Sequence, residues 1–275
     1  MCTVVILRRP GHRWPLLLAA NRDEMKDRPW RPPDRHWPDR PWVVAGLDLE
    51  AGGTWLGMND SGVVAAVMNR TASLGPAADK RSRGELVLDA LDSADAADAA
   101  ERLRHLDGNA WREFNLAIAD DRDAFWLRSR GRAAGGRVEC FPLPEGLSML
   151  TARERNDRVS SRIDRYLDRF ADAPAPDPDA LGGGQGGGDW AEWRDLMADT
   201  ERGAGGEPDS AMCIDTDFGF ATTSSSLIAL PAAGSRAFRA GAGPIWKFAA
   251  GPPAACPYEP VAALDGPAAP VRAAG

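Results

Sequence analysis

Leu16-Leu17-Leu18-Ala19-Ala20-Asn21-Arg22-Asp23-Glu24 is the stretch on which the fold turns, and Thr3-Val4-Val5-Ile6-Leu7 precedes it. The earlier run is β-branched and apolar. Residues 12–15 can turn, and the run from 15 to 20 offers a second apolar partner. Residues 3–20 therefore predict a β-hairpin. The polar quartet falls where the second strand is expected to stop, a place from which side chains project toward a pocket. Antiparallel pairing of 3–7 with 16–20 would bring Asn21, Arg22, Asp23 and Glu24 close to Cys2.

Working outward, residues 21–41 are dense in Arg, Trp and Pro. Prolines at 29, 32, 33, 38 and 41 exclude a regular helix or a central strand, so a long loop or flap is expected. Strand signals resume at 42–46. After Gly52-Gly53-Thr54-Trp55-Leu56-Gly57-Met58 comes Asn59-Asp60-Ser61-Gly62 and the apolar run 63–68, a hairpin pattern. Ser82-Arg83-Gly84-Glu85 reads as a capping box for a helix over 83–91, with Ser93 capping a second over 94–106. Strands are expected at 114–119, 124–128, 137–141 and 147–151. A helix is expected over 154–170, where Val159, Ile163, Tyr166, Leu167 and Phe170 have helical spacing. Residues 171–188, with Gly182-Gly183-Gly184-Gln185-Gly186-Gly187-Gly188, predict a flexible loop. A short helix at 190–198 and a hairpin of 211–216 with 220–230 follow. The Pro/Ala-rich tail 251–275 is expected to be irregular. Strands gather in meanders rather than alternating with helices, which favours an α+β protein of antiparallel sheets with helices on their outer faces, as one domain over 1–275.

Composition bounds the function. With 275 residues, 44% hydrophobic, there is enough chain for a full core. The apolar runs are too short to span a membrane, and no secretory signal is read, so a cytoplasmic protein is expected. A net charge of −7 argues against a nucleic-acid partner. Cysteines at 2, 140, 213 and 256 and histidines at 12, 36 and 105 are too scattered for a metal cluster, so no metal is expected. Positive charge is nearly all arginine; Lys26, Lys80 and Lys247 are the only lysines, read as the coding bias of a GC-rich bacterium.

Cys2 directly follows Met1. A small side chain at this position permits Met1 removal, and the α-amine then exposed, with pKa about 7.7–8.0, is a general base for a thiol of about 8.5. An adjacent guanidinium such as Arg22 would lower the thiol pKa, so Cys2 is expected to react ahead of Cys140 and Cys213. The glycines at 52, 53 and 57 allow backbone to approach another strand or a ligand. Asn69 can offer an amide to a developing oxyanion, and a turn role explains it equally well.

Met1-Cys2-Thr3, Ala20-Asn21-Arg22-Asp23-Glu24, residues 52–57, Asn69-Arg70 and Ser82-Arg83-Gly84-Glu85-Leu86 together resemble the NRDE family, which includes transport and Golgi organisation proteins. The resemblance continues through Phe114-Asn115-Leu116, Leu150-Thr151-Ala152 and 222–230. More distantly, the chain is similar to choloylglycine hydrolases and penicillin V acylases, N-terminal-nucleophile enzymes built as a four-layer αββα sandwich. That resemblance implies Cys2 as nucleophile with its amine as base, Arg22 and Asp23 orienting them, and Asn69 in the oxyanion site. Asn21, Glu24, Trp55, Arg70 and Thr151 are expected to hold the substrate. The hydrolases space Arg and Asp as R-x-x-D and carry Leu-Thr-Asn, where this chain has adjacent Arg22-Asp23 and Leu150-Thr151-Ala152. Their late Arg falls where Ser224-Ser225-Ser226 stands. Two functions are open: an amidohydrolase or acyltransferase acting on a linear non-peptide C–N bond, or a non-catalytic carrier of haem or an apolar ligand. For haem, Cys2, His12, His36 and the methionines are the available ligands, and arginines of 28–42 could pair with carboxylates.

Overall fold

The structure is a computed structural model that describes residues 2–71, 73, 75, 77, 79–180, 189–233 and 243–265. In chain order the first strands and helices are β1 (Thr3–Arg8), β2 (Leu16–Met25), β3 (Trp30–Asp34), β4 (Val43–Asp48), β5 (Leu56–Asn59), β6 (Val64–Asn69), α1 (Gly84–Leu91) and α2 (Ala96–Leu103). There follow β7 (Phe114–Ala119), β8 (Ala124–Ser129), β9 (Val138–Pro142), β10 (Gly146–Leu150), α3 (Ser161–Asp172), α4 (Ala191–Ala198), β11 (Phe220–Leu230), β12 (Ile245–Ala249) and β13 (Glu259–Pro260). The chain divides into two compact units, 1–27 with 145–261 and 28–144 with 262–275.

The first unit is built on a six-stranded antiparallel sheet in the order β10-β1-β2-β11-β12-β13. Alternation along the strands sends Val5, Leu17, Ala19, Met149, Leu227 and Ala229 to one face, where they meet Ile163, Tyr166 and Phe170 of α3 and Trp193, Leu196 and Met197 of α4. Each such large apolar side chain taken from water contributes about 1.5–3 kcal/mol before entropy is charged against it.

The second unit is a seven-stranded antiparallel meander, β3 through β9 in sequence order. Here Val43, Ala45, Val63, Ala65, Leu116, Ile118 and Leu127 form the face covered by α1 and α2, through Leu86, Val87, Leu91, Ala99 and Leu103. The architecture is thus α+β. Each sheet carries two helices on one of its faces.

The glycine pair Gly52-Gly53 has a physical reason in this unit. A Cβ on Gly53 would lie 2.7 Å from the Gly84 carbonyl carbon, and one on Gly84 would lie 2.7 Å from the Thr54 nitrogen. Two glycines therefore let the loop and the start of α1 touch backbone to backbone, and Thr54 donates to the Gly84 carbonyl at 3.3 Å. Ser82 and Glu85 act reciprocally there: Ser82 N donates to Glu85 Oε1 at 3.2 Å, and Ser82 Oγ accepts from Gly84 N at 3.2 Å. Asn59 locks the β5–β6 turn. Its Nδ2 donates to the carbonyls of Leu91 and Ser93, and its Oδ1 accepts from the amides of Ser61 and Val63. Gly62 completes that turn at φ +87°.

Several expectations are corrected. The second strand does not stop at residue 20: β2 runs through the quartet to Met25, because β11 supplies a long partner on its other side. The proline-rich segment contains β3, with Pro32 and Pro33 at the sheet edge beside a bulge, where a missing N–H costs nothing. Asp95, not Ser93, caps α2, accepting from Asp98 N at 2.8 Å. Helix α3 begins at Ser161 rather than 154. Asn156 sits at φ 56° and its side chain accepts from Met149 N at 2.6 Å, tying that segment to β10; Ser160 is the cap. Residues 211–216 form no strand but a bridge between Asp215 and Ala221, and β11 pairs with β2 and with β12, which had not been expected. Part of the expected loop is anchored: Trp14 Nε1 and Arg13 Nη2 donate to Asp179 at 2.7 and 2.9 Å. Residues 181–188 and 266–275 of the expected loop and tail lie outside the described residues.

Candidate functional site

Because the quartet is inside β2, its side chains alternate between faces. Asn21 and Asp23 point to the helix-covered face, and Arg22 and Glu24 to the other. Asn21 Nδ2 donates to the carbonyls of Met197 and Met212 at 3.0 and 2.9 Å, which ties β2 to the end of α4. Asp23 is 3% exposed and pairs with Arg162 of α3, itself 2% exposed. Arg162 Nη1 lies 2.8 Å from Asp23 Oδ2 and 2.7 Å from Thr3 Oγ1, and its Nε donates to the Asp209 carbonyl at 3.1 Å. Thr222 completes the group, donating its hydroxyl to Asp23 Oδ1 at 2.7 Å while accepting from Ile214 N at 2.9 Å.

A bulge in β11 makes this possible. The β2–β11 register shifts between Thr222 and Ser224, so Thr222 opposes Asp23 and Ser224 opposes Arg22. The extra residue, Thr223, meets Arg22: Arg22 Nη1 donates to Thr223 Oγ1 at 3.3 Å.

Cys2 lies at the edge of this network. Its Sγ is 3.7 Å from the Asp23 carbonyl oxygen, and the residue is half-buried. By strand alternation Cys2 shares the parity of Val4 and Ile6, the face that carries Arg22 and Ser224. The Oγ atoms of Ser148 and Ser224 are buried and make no hydrogen bond among the described residues.

The electrostatics differ from expectation. Burial pushes the Cys2 thiol above its ordinary value, and the Asp23 carboxylate adds to the rise. The expected lowering of the Cys2 thiol is therefore corrected. The Arg162 guanidinium stands against the Asp23 carboxylate. For Asp23, burial alone would raise the carboxyl. The positive charge facing it, Arg162 included, and the Thr222 hydroxyl hold it below its ordinary range instead.

The remaining expected residues lie as follows. Glu24 Oε1 accepts from Met25 N at 2.9 Å. Thr151 Oγ1 is 3.4 Å from Ser160 Oγ. In the second unit, the Trp55 ring lies against Gly46, where a Cβ would come within 2.3 Å, and meets Trp30 edge-on at 5.8 Å. Arg70 Nη1 donates to Asn115 Oδ1 at 2.8 Å. Asn69 ends β6 with the parity of Val63, Ala65 and Val67; it is half-buried, and its side-chain amide makes no hydrogen bond among the described residues. His12 Nδ1 accepts from Trp14 N at 3.0 Å, and His36 Nε2 is 2.8 Å from the Pro32 carbonyl. Among the described residues no group of three or more His, Cys, Asp or Glu side chains could hold a metal ion.

Sequence reasoning missed Arg162, Thr3 and Thr222. Arg162 and Thr222 lie 139 and 199 residues from Asp23, and no local pattern announces such a partner.

Fold and site define the class: an α+β protein of two antiparallel sheets, with a cysteine beside a buried carboxylate–guanidinium pair. The family profile described as Transport and Golgi organisation 2 matches residues 1–162, and the chain belongs to that family. It is 41% identical over 110 residues to the Transport and Golgi organization protein 2 homolog of Bos taurus and 39% identical over 110 residues to that of Homo sapiens. In each case the match spans 38% of this chain and 38% of the relative's own length. Among solved structures it is similar to a penicillin V acylase from Agrobacterium tumefaciens, at 13% identity and a TM-score of 0.47 over 90% of this chain and 83% of that one. A conjugated bile acid hydrolase from Clostridium perfringens is similar at 12% identity and a TM-score of 0.49, covering 90% and 89%. No helix among the described residues is long and apolar enough to cross a membrane.

Proposed function

We propose that the chain is a Cys2-dependent amidohydrolase or acyltransferase that cleaves a linear, non-peptide C–N bond. The observation that carries this reading is the position of Cys2 Sγ, 3.7 Å from the Asp23 carbonyl on a strand pinned by the Asp23–Arg162 pair. Such pinning is what a nucleophile needs to be held in an attacking geometry.

The thiol is raised by burial and by Asp23, so a base is required. Removal of Met1 exposes the Cys2 α-amine, which takes the Sγ proton. The sulfur then attacks the substrate carbonyl carbon. The C–N bond breaks, the amine leaves with the proton, and a thioester remains on Cys2. Water releases the acid in the hydrolase; an acceptor amine or alcohol takes the acyl group in the transferase. Asn69 is the residue the family resemblance assigns to the oxyanion, and its side-chain amide makes no hydrogen bond among the described residues.

Incubation with a chromogenic N-acyl anilide tests the reading. Intact mass should show loss of Met1, the N-terminal peptide should carry the acyl mass, and Cys2→Ala should abolish anilide release. Retained Met1, or full activity in Cys2→Ala, refutes it.

A second reading is a carrier of haem or an apolar ligand. It is favoured by Ala152, which has no side-chain amide where the hydrolases have one. Losing one oxyanion donor costs about 10²–10³ in rate. A haem titration monitored at the Soret band, retained in Cys2→Ala with no anilide release, favours the carrier.

A further inference from the structure

Of the arginines expected to meet a ligand carboxylate, three are already taken. Arg28 is 2.7 Å from Asp48 and 2.9 Å from Glu50. Arg35 bonds both oxygens of Asp60 at 3.0 and 2.8 Å. Arg40 Nε bonds both oxygens of Asp92 at 3.0 and 3.1 Å.

The three lysines differ more sharply among themselves. Lys26 Nζ lies 2.6 Å from Asp215 Oδ1. Lys80 Nζ donates to the Asn109 carbonyl at 2.5 Å and lies 3.8 Å from Asp79. Lys247, in β12, is 5% exposed, yet its Nζ makes no hydrogen bond or ion pair among the described residues. The residues outside those described contain no Asp or Glu. A buried charge is ordinarily paired, so this amine is an exception.

Its surroundings favour the neutral form. Lys247 opposes Leu227 and shares the parity of Ile245, so it points to the helix-covered face of the first unit's sheet. Tyr258 packs on the same face. Ser225 donates its hydroxyl to the Ala20 carbonyl at 3.1 Å, which leaves Tyr258 as the donor to Ser225 Oγ at 2.6 Å. Burial keeps that phenol protonated, so Tyr258 supplies no counter-charge. The charged group that Lys247 does meet is another cation, the exposed Arg194 of α4, whose guanidinium also makes no ion pair among the described residues. Burial and this like charge hold the amine below its ordinary value. A lysine desolvated beside a second cation is a nucleophile at neutral pH. Nζ is not one of the fully buried atoms that lack a hydrogen bond, so the stem is buried while its tip reaches solvent.

We propose that Lys247 is a reactive amine that condenses with the keto group of a small 2-oxo acid, the Arg194 guanidinium receiving the carboxylate. The amine nitrogen attacks the keto carbon, and one amine proton passes to the oxygen to give a carbinolamine. That hydroxyl leaves with the second amine proton as water, and a C=N bond remains. The site goes beyond the reading of Cys2 as a nucleophile, because Cys2 lies on the opposite face of the same sheet.

The test is reductive trapping on the full chain carrying Cys2→Ala, so that no N-terminal cysteine competes for the carbonyl compound. Sodium pyruvate is added with sodium cyanoborohydride, which reduces the imine to a stable secondary amine, and the adduct is located by peptide mass spectrometry. Lys247 should carry about tenfold more adduct than Lys26 or Lys80, which serve as internal controls. Arg194→Gln, at an exposed position, should lower trapping of pyruvate at Lys247 about tenfold. It should not lower trapping of methyl pyruvate, which has the same keto group and no charge. Equal labelling of the three lysines, or no adduct at Lys247, overturns the proposal. So does pyruvate trapping that is undiminished in Arg194→Gln. A Cys2 variant with full amidase activity would refute the nucleophile reading and leave this result standing.

Discussion

Replacing Arg162 with Met removes one charge of a pair whose side chains are 3% and 0% exposed. Asp23 would lose the guanidinium at 2.8 Å, and Thr3 its donor at 2.7 Å. A carboxylate left buried without its counter-charge costs about 3–5 kcal/mol. At about 2–4 °C per kcal/mol for a chain of this size, Tm should fall by about 6–20 °C. The pH dependence has a definite sign. In the parent, the Asp23 carboxyl lies below its ordinary value, so its contribution is complete above the unfolded value of about 3.9. It is lost as pH falls through the lower, folded value. In Arg162→Met, burial meets less positive charge and the carboxyl rises. The penalty then sets in above about pH 3.9 and is complete once pH exceeds the raised folded value. Urea unfolding followed by circular dichroism at pH 4 and pH 7 should show a larger loss at pH 7. Asp23→Asn combined with Arg162→Met should recover much of it, because no charge is then left buried. If the single variant unfolds within about 1 kcal/mol of the parent, or the double variant is no more stable than the single, the pair is not the anchor of this site.

Three further outcomes are expected. Thr222→Val removes the hydroxyl from Asp23 and leaves Ile214 N without its acceptor, so it should cost about 1–3 kcal/mol in urea unfolding. Asn59→Leu strands two carbonyls and two amides around the β5–β6 turn, and should cost about 3 kcal/mol, measured in the same way. Alkylation of Cys2 by iodoacetamide should accelerate steeply from pH 7 to pH 9, read by peptide mass spectrometry, because burial and Asp23 keep the thiol protonated at neutral pH. A pH-independent rate would contradict that assignment.

What the chain alone determines is mostly local. The seven-stranded meander joins strands that are neighbours in sequence, so turn chemistry and alternation reveal it; Asn59-Asp60-Ser61-Gly62 is a clear instance. Ser82 and Glu85 bracket α1 for the same reason, because a cap acts within one turn of helix. The β1–β2 hairpin and Cys2 beside the quartet were equally legible. The length of β2 was not. Its extension depends on β11, about two hundred residues away, and pairing energy between distant strands leaves no periodic trace in either one. That extension alone sends Arg22 and Asp23 to opposite faces. The assignment of charges was also a tertiary outcome. Composition shows arginines and acids in abundance, but only the folded chain gives Arg28, Arg35 and Arg40 to their own carboxylates and leaves Lys247 with none among the described residues. Arg162 reaches Asp23 because α3 lies on the face that Asp23 occupies. Coulombic attraction depends on distance through space, which sequence separation does not encode.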